Sequence, residues 1–328
     1  MTPFRCDRKA GADAELGENC YVCGMRREAS GQRTDAAGEP SAPLTSRVIA
    51  EGADWSVGDY VCHAGPGDRP FEERHERVTI AAVIAGSFTY RAESGRSFLY
   101  PGAFLLGNAG KYFECGHDHG IGDRCVAFHL APALFEEIAA GVTGSCRFRF
   151  PVAMLPAGRG LTVPMVDIET MARDPSPIAL DEVVARLVER VLASVSGSSG
   201  SSRAPSAGDQ RRIGNALRYI EEHAEEPLDL AGLAGVACMS KYHFLRTFRR
   251  AVGVTPYKFL LGVRLRRAAV RLRTTPAPVS AIAFDAGFGD LSTFNARFRG
   301  VFGASPRAYR SRRGGLAHGS NAASIGTR

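Results

Sequence analysis

Residues 230–259 read LAGLAGVACMSKYHFLRTFRRAVGVTPYKF, and residues 280–309 read SAIAFDAGFGDLSTFNARFRGVFGASPRAY. Phe244, Phe248, Arg249, Gly253 and Pro256 of the first stretch recur as Phe294, Phe298, Arg299, Gly303 and Pro306 at a spacing of 50. Ala234 and Ala237 recur as Ala283 and Ala286 at a spacing of 49, so the second copy gains one residue in its turn, around Gly287–Asp290. Small, aromatic and glycine residues repeated in one order mark a duplicated structural unit.

Each copy has the marks of two short helices joined by a tight turn. Leu230, Leu233 and Ala234 give the first helix an inner face, and Ala237 is small enough for two helices to approach. Ser240 suits the N-cap of the next helix, because its hydroxyl accepts from a free backbone N–H. Phe244 and Phe248 stand one turn apart and plug the core, and Gly253 suits the left-handed stop. In the second copy Ile282, Ala283 and Ala286 take the first role, Asp290 or Ser292 caps, Phe294 and Phe298 fill, and Gly303 stops. Residues 256–272, PYKFLLGVRLRRAAVRL, predict a helix between the copies that opens on Pro256 and sets the distance between them.

The outward face of the first capped helix carries Lys241, Tyr242, His243, Arg246, Arg249 and Arg250, and that of the second carries Ser292, Thr293, Asn295, Arg297 and Arg299. Cationic and hydrogen-bonding groups on such a face suit phosphates and base edges in a major groove. Charge agrees. Residues 209–313 hold 19 Lys and Arg against 8 Asp and Glu, a net +11, while the rest of the chain is net −4. A basic third beside an acidic remainder points to a polyanion partner for that third, here double-stranded DNA.

Residues 209–313 resemble the DNA-binding domain of the AraC/XylS family of bacterial regulators. The resemblance rests on Gly253-Val254-Thr255-Pro256, on Arg264-Leu265, and on Ile282-Ala283, Ala286-Gly287-Phe288, Phe294, Phe298, Gly303, Ser305-Pro306 and Tyr309-Arg310. It implies base-facing positions at Tyr242, Leu245 and Arg246 in the first unit and at Ser292, Thr293 and Ala296 in the second. Leu245 and Ala296 offer no hydrogen bond, so readout there would be an apolar contact with a thymine methyl. The resemblance also implies a cupin-like effector domain ahead of the DNA module, and RNA polymerase as partner if the protein activates.

Residues 46–150 read as short strands between turns. Val78–Ile84 is an apolar, β-branched run, Ser94-Gly95-Arg96 and Pro101-Gly102 are turns, and Ser97–Tyr100 and Ala103–Leu106 follow them. That spacing suggests an antiparallel sandwich or small barrel. Over residues 176–195, Leu180, Val183, Val184, Leu187, Val188, Val191, Leu192 and Val195 recur every three or four residues, one apolar helical face. It would pack on its own sheet, or also serve a homodimer. The whole is expected to be an α+β multidomain chain. A disordered leader (1–45) precedes a cupin-like sandwich or barrel with accessory helix (46–195). A Ser/Gly linker (196–208), an all-α double helix-turn-helix domain (209–313) and a loose tail (314–328) follow.

Cys115, His117 and His119 share one strand face if residues 112–129 form a hairpin about Gly122, with Cys125 opposite His119 and His129 opposite Cys115. Five such donors suit zinc or another transition metal, a thiol-based sensor, or plain burial. Cys20-x-x-Cys23 has no second pair nearby. No run of about 18 apolar residues appears, and the N-terminus lacks the apolar core of an export signal, so a cytoplasmic protein with no membrane partner is expected. No paired carboxylates, activated nucleophile or phosphate-binding glycine loop is evident, so an enzyme is not expected. The alternative is a cupin-type metalloenzyme or a cysteine alkyl-acceptor fused to the DNA module.

Overall fold

The computed structural model describes residues 44–117, 120–145, 147–158, 160–173, 180–196 and 206–315. The leader with Cys6, Cys20 and Cys23, most of the Ser/Gly linker, the last residues of the tail, Cys146 and His119 lie outside the described residues.

The N-terminal part contains strands β1 (Leu44–Glu51), β2 (Trp55–Cys62), β3 (Phe71–Arg74), β4 (Val78–Gly86), β5 (Phe88–Ala92), β6 (Gly95–Leu99), β7 (Phe104–Gly107), β8 (Tyr112–Gly116), β9 (Asp123–Leu130) and β10 (Met154–Leu155). Helices α1 (Pro132–Thr143), α2 (Thr162–Arg173) and α3 (Leu180–Ser196) accompany them. One sheet runs β1-β2-β9-β4-β7-β10 and a second runs β3-β8-β5-β6.

Period-two patterning on β9 places both faces. Val126, Phe128 and Leu130 join Ile80, Ala82, Phe104 and Leu106 in a core beneath the helices. Asp123, Cys125, Ala127 and His129 point the other way, into a cavity between the sheets. The apolar stripe of α3 is spent on that first core, where Leu180, Val184, Leu187, Val188, Val191, Leu192 and Val195 are buried. This is the packing expected of it.

The expected hairpin of residues 112–129 does not form. β8 lies between β3 and β5 in the smaller sheet, and β9 lies between β2 and β4 in the larger. Both edges of β9 are taken, so none is left for β8, and the two strands belong to different sheets. Cys125 faces Tyr60 and Val83 across the ladder, and His129 faces Ser56 and Thr79.

The C-terminal part is helical: α4 (Ala207–Glu222), α5 (Leu230–Val236), α6 (Lys241–Val252), α7 (Pro256–Thr274), α8 (Val279–Asp285), α9 (Leu291–Phe302) and α10 (Pro306–Gly315). α4 is capped by Ser206 and so begins inside the stretch read as linker, while β1 begins inside the stretch read as leader. Pairs α5–α6 and α8–α9 are the two helix-turn-helix units. Their turns use one hydrogen-bond pattern: Met239 N–H donates to the Ala234 carbonyl at 2.9 Å, and Phe288 N–H to the Ala283 carbonyl at 3.1 Å. Both turns need a left-handed residue, Cys238 at φ 48° and Gly287 at φ 87°.

The two parts share a core. Tyr90, Leu99, Tyr100 and Ala103 pack in one cluster with Ile213, Leu217, Phe244, Phe248, Val252 and Phe259. Tyr100 Oη donates to the carbonyl of Val252, the last residue of α6, at 2.7 Å. Arg266 of α7 is buried between Glu169 of α2 at 2.8 Å and Glu221 of α4 at 2.9 Å. Arg273 pairs with Asp167 and lies 4.7 Å over the Tyr309 ring.

Candidate nucleic-acid interface and inter-sheet cavity

α6 is oriented by what it buries. Ser240 caps its first turn by accepting from His243 N–H, and Gly253 ends it at φ 82°. Phe244, Thr247, Phe248 and Val252 face inward, so Lys241, Tyr242, Arg246, Arg249 and Arg250 face out. Tyr242 is 79% exposed, more than any other large apolar residue among the described residues, so its ring is free to meet a partner. Tyr242, Leu245, Arg246, Arg249 and Arg250 line one shallow concavity.

Two of these groups are partly engaged within the chain. Arg250 pairs with Asp209 of α4 at 3.0 Å, and His243 Nε2 lies 4.0 Å from the same carboxylate. Arg246 and Arg249 have no such partner among the ion pairs of the described residues.

α9 repeats the design. Asp290, rather than Ser292, caps it by accepting from Thr293 N–H at 2.7 Å. Bonds from Thr293 hold the Asp290 carboxyl below the usual aspartate range. Phe294, Phe298 and Phe302 are buried, and Ser292, Thr293, Asn295, Ala296, Arg297 and Arg299 are all exposed. This face carries fewer cations than that of α6. α7 is 19 residues long and rigidly seated through Phe259, Leu260, Val263, Leu265, Ala268, Ala269 and Leu272. Arg264 donates to the carbonyls of Ala224 at 2.6 Å and Glu226 at 2.7 Å, fixing the chain between α4 and α5 onto α7.

Between the sheets lies a cavity of about 470 Å³. Cys115, His117, Cys125 and His129 all line it, although β8 and β9 come from opposite sheets. His129 is committed on both ring nitrogens, to Tyr60 Oη at 2.9 Å and to Thr79 Oγ1 at 3.2 Å. It does not belong to the donor cluster of Cys62, His117 and Asp123 in this cavity. Burial pushes the Cys115 and Cys125 thiols well above their ordinary pKa, with Asp123 adding to it. Protonated thiols are poor nucleophiles, so neither Cys115 nor Cys125 is poised as one.

His117 behaves differently. Burial alone would lower its pKa, but hydrogen bonds and charge from Asp123 and Cys62 outweigh this and hold it at about 9. Its Nε2 lies 3.1 Å from Asp123 Oδ1. Sequence reading missed Cys62 and Asp123. Their proximity follows from strand register, in which Cys62 of β2 stands opposite Asp123 of β9. It missed His75 too, which bonds Tyr90 Oη at 2.8 Å and stacks on Phe113 at 4.1 Å. Among the described residues no helix is long and apolar enough to cross a membrane.

Residues 233–312 match the family described as helix-turn-helix domain. The regulatory protein SoxS of Salmonella typhimurium is 36% identical over 103 residues, which cover 31% of this chain and 96% of SoxS. The HTH-type transcriptional regulator YbfI of Bacillus subtilis is 24% identical over 221 residues, 66% of this chain and 78% of YbfI. Among solved structures, a transcriptional regulator with an AraC-type DNA-binding domain from Chromobacterium violaceum is 30% identical and covers 33% of this chain and 96% of its own, with a TM-score of 0.31. With two helix-turn-helix units in place and a relative matched over nearly its whole length, the chain belongs to the AraC/XylS family of DNA-binding transcription regulators.

Proposed function

We propose that the chain is a sequence-specific regulator that reads double-stranded DNA through α6 and α9 and answers to a ligand held in its N-terminal, cupin-like domain. The observation that carries this reading is the duplication. Two capped helices stand on paired phenylalanines, each turns a polar face to solvent, and α7 sits between them. Tyr242, Leu245 and Arg246 on α6, with Ser292, Thr293 and Ala296 on α9, are the base-facing set. Lys241, Arg249, Arg297 and Arg299 supply phosphate contacts, with His243, Arg250 and Asn295 at the margins.

A cavity of about 470 Å³ lies within the range of small-molecule sites, and its walls mix apolar surface with a few buried polar groups. The core shared by the β sheets with α4, α6 and α7 supplies a physical route from that cavity to the reading heads. RNA polymerase contact and a homodimer belong to the same reading. The face of α3 is already used, so a dimer would need another surface.

Selection of sites from a random DNA pool with the full chain tests specificity. A defined motif is expected, with affinity falling steeply as salt rises because bound Lys and Arg release counterions. Arg246→Ala should relax preference at one position, costing roughly 1–3 kcal/mol there. No enrichment together with a flat salt response would remove the reading.

A further inference from the structure

Cys62, His117 and Asp123 each place a donor atom within 4.8 Å of the other two. They come from three separate places. Cys62 ends β2, Asp123 begins β9 directly across the ladder from it, and His117 follows β8 of the opposite sheet. All three are shielded: the His117 and Asp123 side chains are 2% and 9% exposed, and Cys62 is 4% exposed. All three also line the cavity.

We propose that Cys62, His117 and Asp123 form a binding site for one transition-metal ion of the zinc class, with its fourth position open to the inter-sheet cavity. The donor set decides the class. One sulfur, one imidazole nitrogen and one carboxylate oxygen suit a borderline-soft ion and not calcium or magnesium, which take oxygen ligands. Donors around tetrahedral zinc stand about 3.5 Å apart, given metal–ligand distances near 2.0–2.3 Å. The three lie within 4.8 Å of one another and would draw together to reach that spacing, which the His117–Asp123 separation of 3.1 Å already approaches. Three protein ligands with one open position form a site that accepts an exogenous ligand, not a closed structural one.

Its place in the fold ties occupancy to the DNA module, a consequence that rests on the reading proposed above. Gly120, Ile121 and Gly122, which precede Asp123, border a second groove together with Gly214, Leu217, Arg218 and Glu221 of α4. Asp123 lines both the cavity and that groove. Gly122 is anchored by its N–H, which donates to the Ala64 carbonyl at 2.8 Å. α4 reaches the first reading head through the Asp209–Arg250 pair. An ion that draws on Asp123 therefore acts on the adjoining residues that border the groove shared with α4.

The test uses the purified full chain with Zn²⁺ or Co²⁺ alone. Titration with Co²⁺ should give one equivalent bound and a thiolate-to-cobalt absorption band, displaced by Zn²⁺. Cys62→Ser should remove the band, and His117→Gln and Asp123→Asn should each weaken Zn²⁺ binding on the order of a hundredfold. Cys115→Ser, Cys125→Ser and Cys238→Ser should leave the stoichiometry unchanged. Far-ultraviolet circular dichroism identifies any variant that fails to fold, and three independent ligand variants keep the result decisive. A folded wild-type protein that binds no Co²⁺, or a band that survives Cys62→Ser and vanishes with Cys115→Ser, overturns the site. Gel shifts of the same samples on a selected DNA answer separately. Equal DNA affinity with and without Zn²⁺ would leave the metal site standing and remove its regulatory role.

Discussion

Two single residues carry measurable consequences. Gly287 takes the left-handed turn of the second unit, and a Cβ there would meet the Glu225 and Ala224 carbonyl oxygens at 2.8 and 2.9 Å. Both are backbone atoms, and Arg264 holds the segment on either side of Glu225, donating to the Ala224 and Glu226 carbonyls. Gly287→Ala should therefore cost about 1–3 kcal/mol in urea denaturation; a loss under about 0.5 kcal/mol would show that the turn relaxes freely. Cys238 holds the same place in the first unit as a non-glycine, so the two copies are not equally tuned. The second residue is His75, whose pKa is lowered to about 4 by burial and then by the charge of His129. Unfolded, it titrates near 6.5, so below that pH the unfolded chain takes up a proton that the fold refuses. Its contribution is complete above pH ~6.5 and is lost as pH falls towards 4, an acid sensitivity of roughly 3 kcal/mol. His75→Gln should flatten the urea midpoint over that window, and pH profiles that run parallel to wild type would refute it.

Among the elements, α6 and α4 form a pair whose charges oppose. Asp209 neutralises part of the face that α6 offers to a polyanion. Asp209→Asn should strengthen DNA binding and steepen its logarithmic salt dependence by about one unit, because one more cation becomes free to replace a counterion. An unchanged slope in a salt series of gel shifts would mean that Arg250 stays away from phosphate. The helices were legible in advance because their signals are local: Phe244 and Phe248, or Phe294 and Phe298, stand four residues apart between a cap and a stopping glycine. Strands were legible only singly. The Ser94-Gly95-Arg96 turn announces the β5–β6 hairpin, whereas Gly120-Ile121-Gly122, glycine-rich and equally turn-like in sequence, leads into a strand of the other sheet. What separates them is the presence of β2 and β4 on both edges of β9, and those partners lie far away in sequence. Cys62 escaped notice for the same reason, since only the β2–β9 register brings it to Asp123.

For the molecule as a whole, the junction between sheets and helices is built like an interior. Arg266 sits between Glu169 and Glu221, and burial first pushes the Glu169 carboxyl up while Arg266 pulls it back. Removing one partner strands part of a buried charge. Glu169→Ala should lower stability by about 2–4 kcal/mol, and adding Arg266→Met should recover some of it; calorimetry showing no loss for the single variant would mean that water reaches the guanidinium. The composition of residues 196–208 suggested two bodies on a tether, and no local pattern could reveal that Tyr100, Phe259 and Val252 meet across it. Because they do, the tether is not what keeps the halves together. A protease nick within residues 197–205 should leave two fragments that still elute as one particle and separate only in denaturant, with the regulator's two halves behaving as subunits that happen to be translated in tandem.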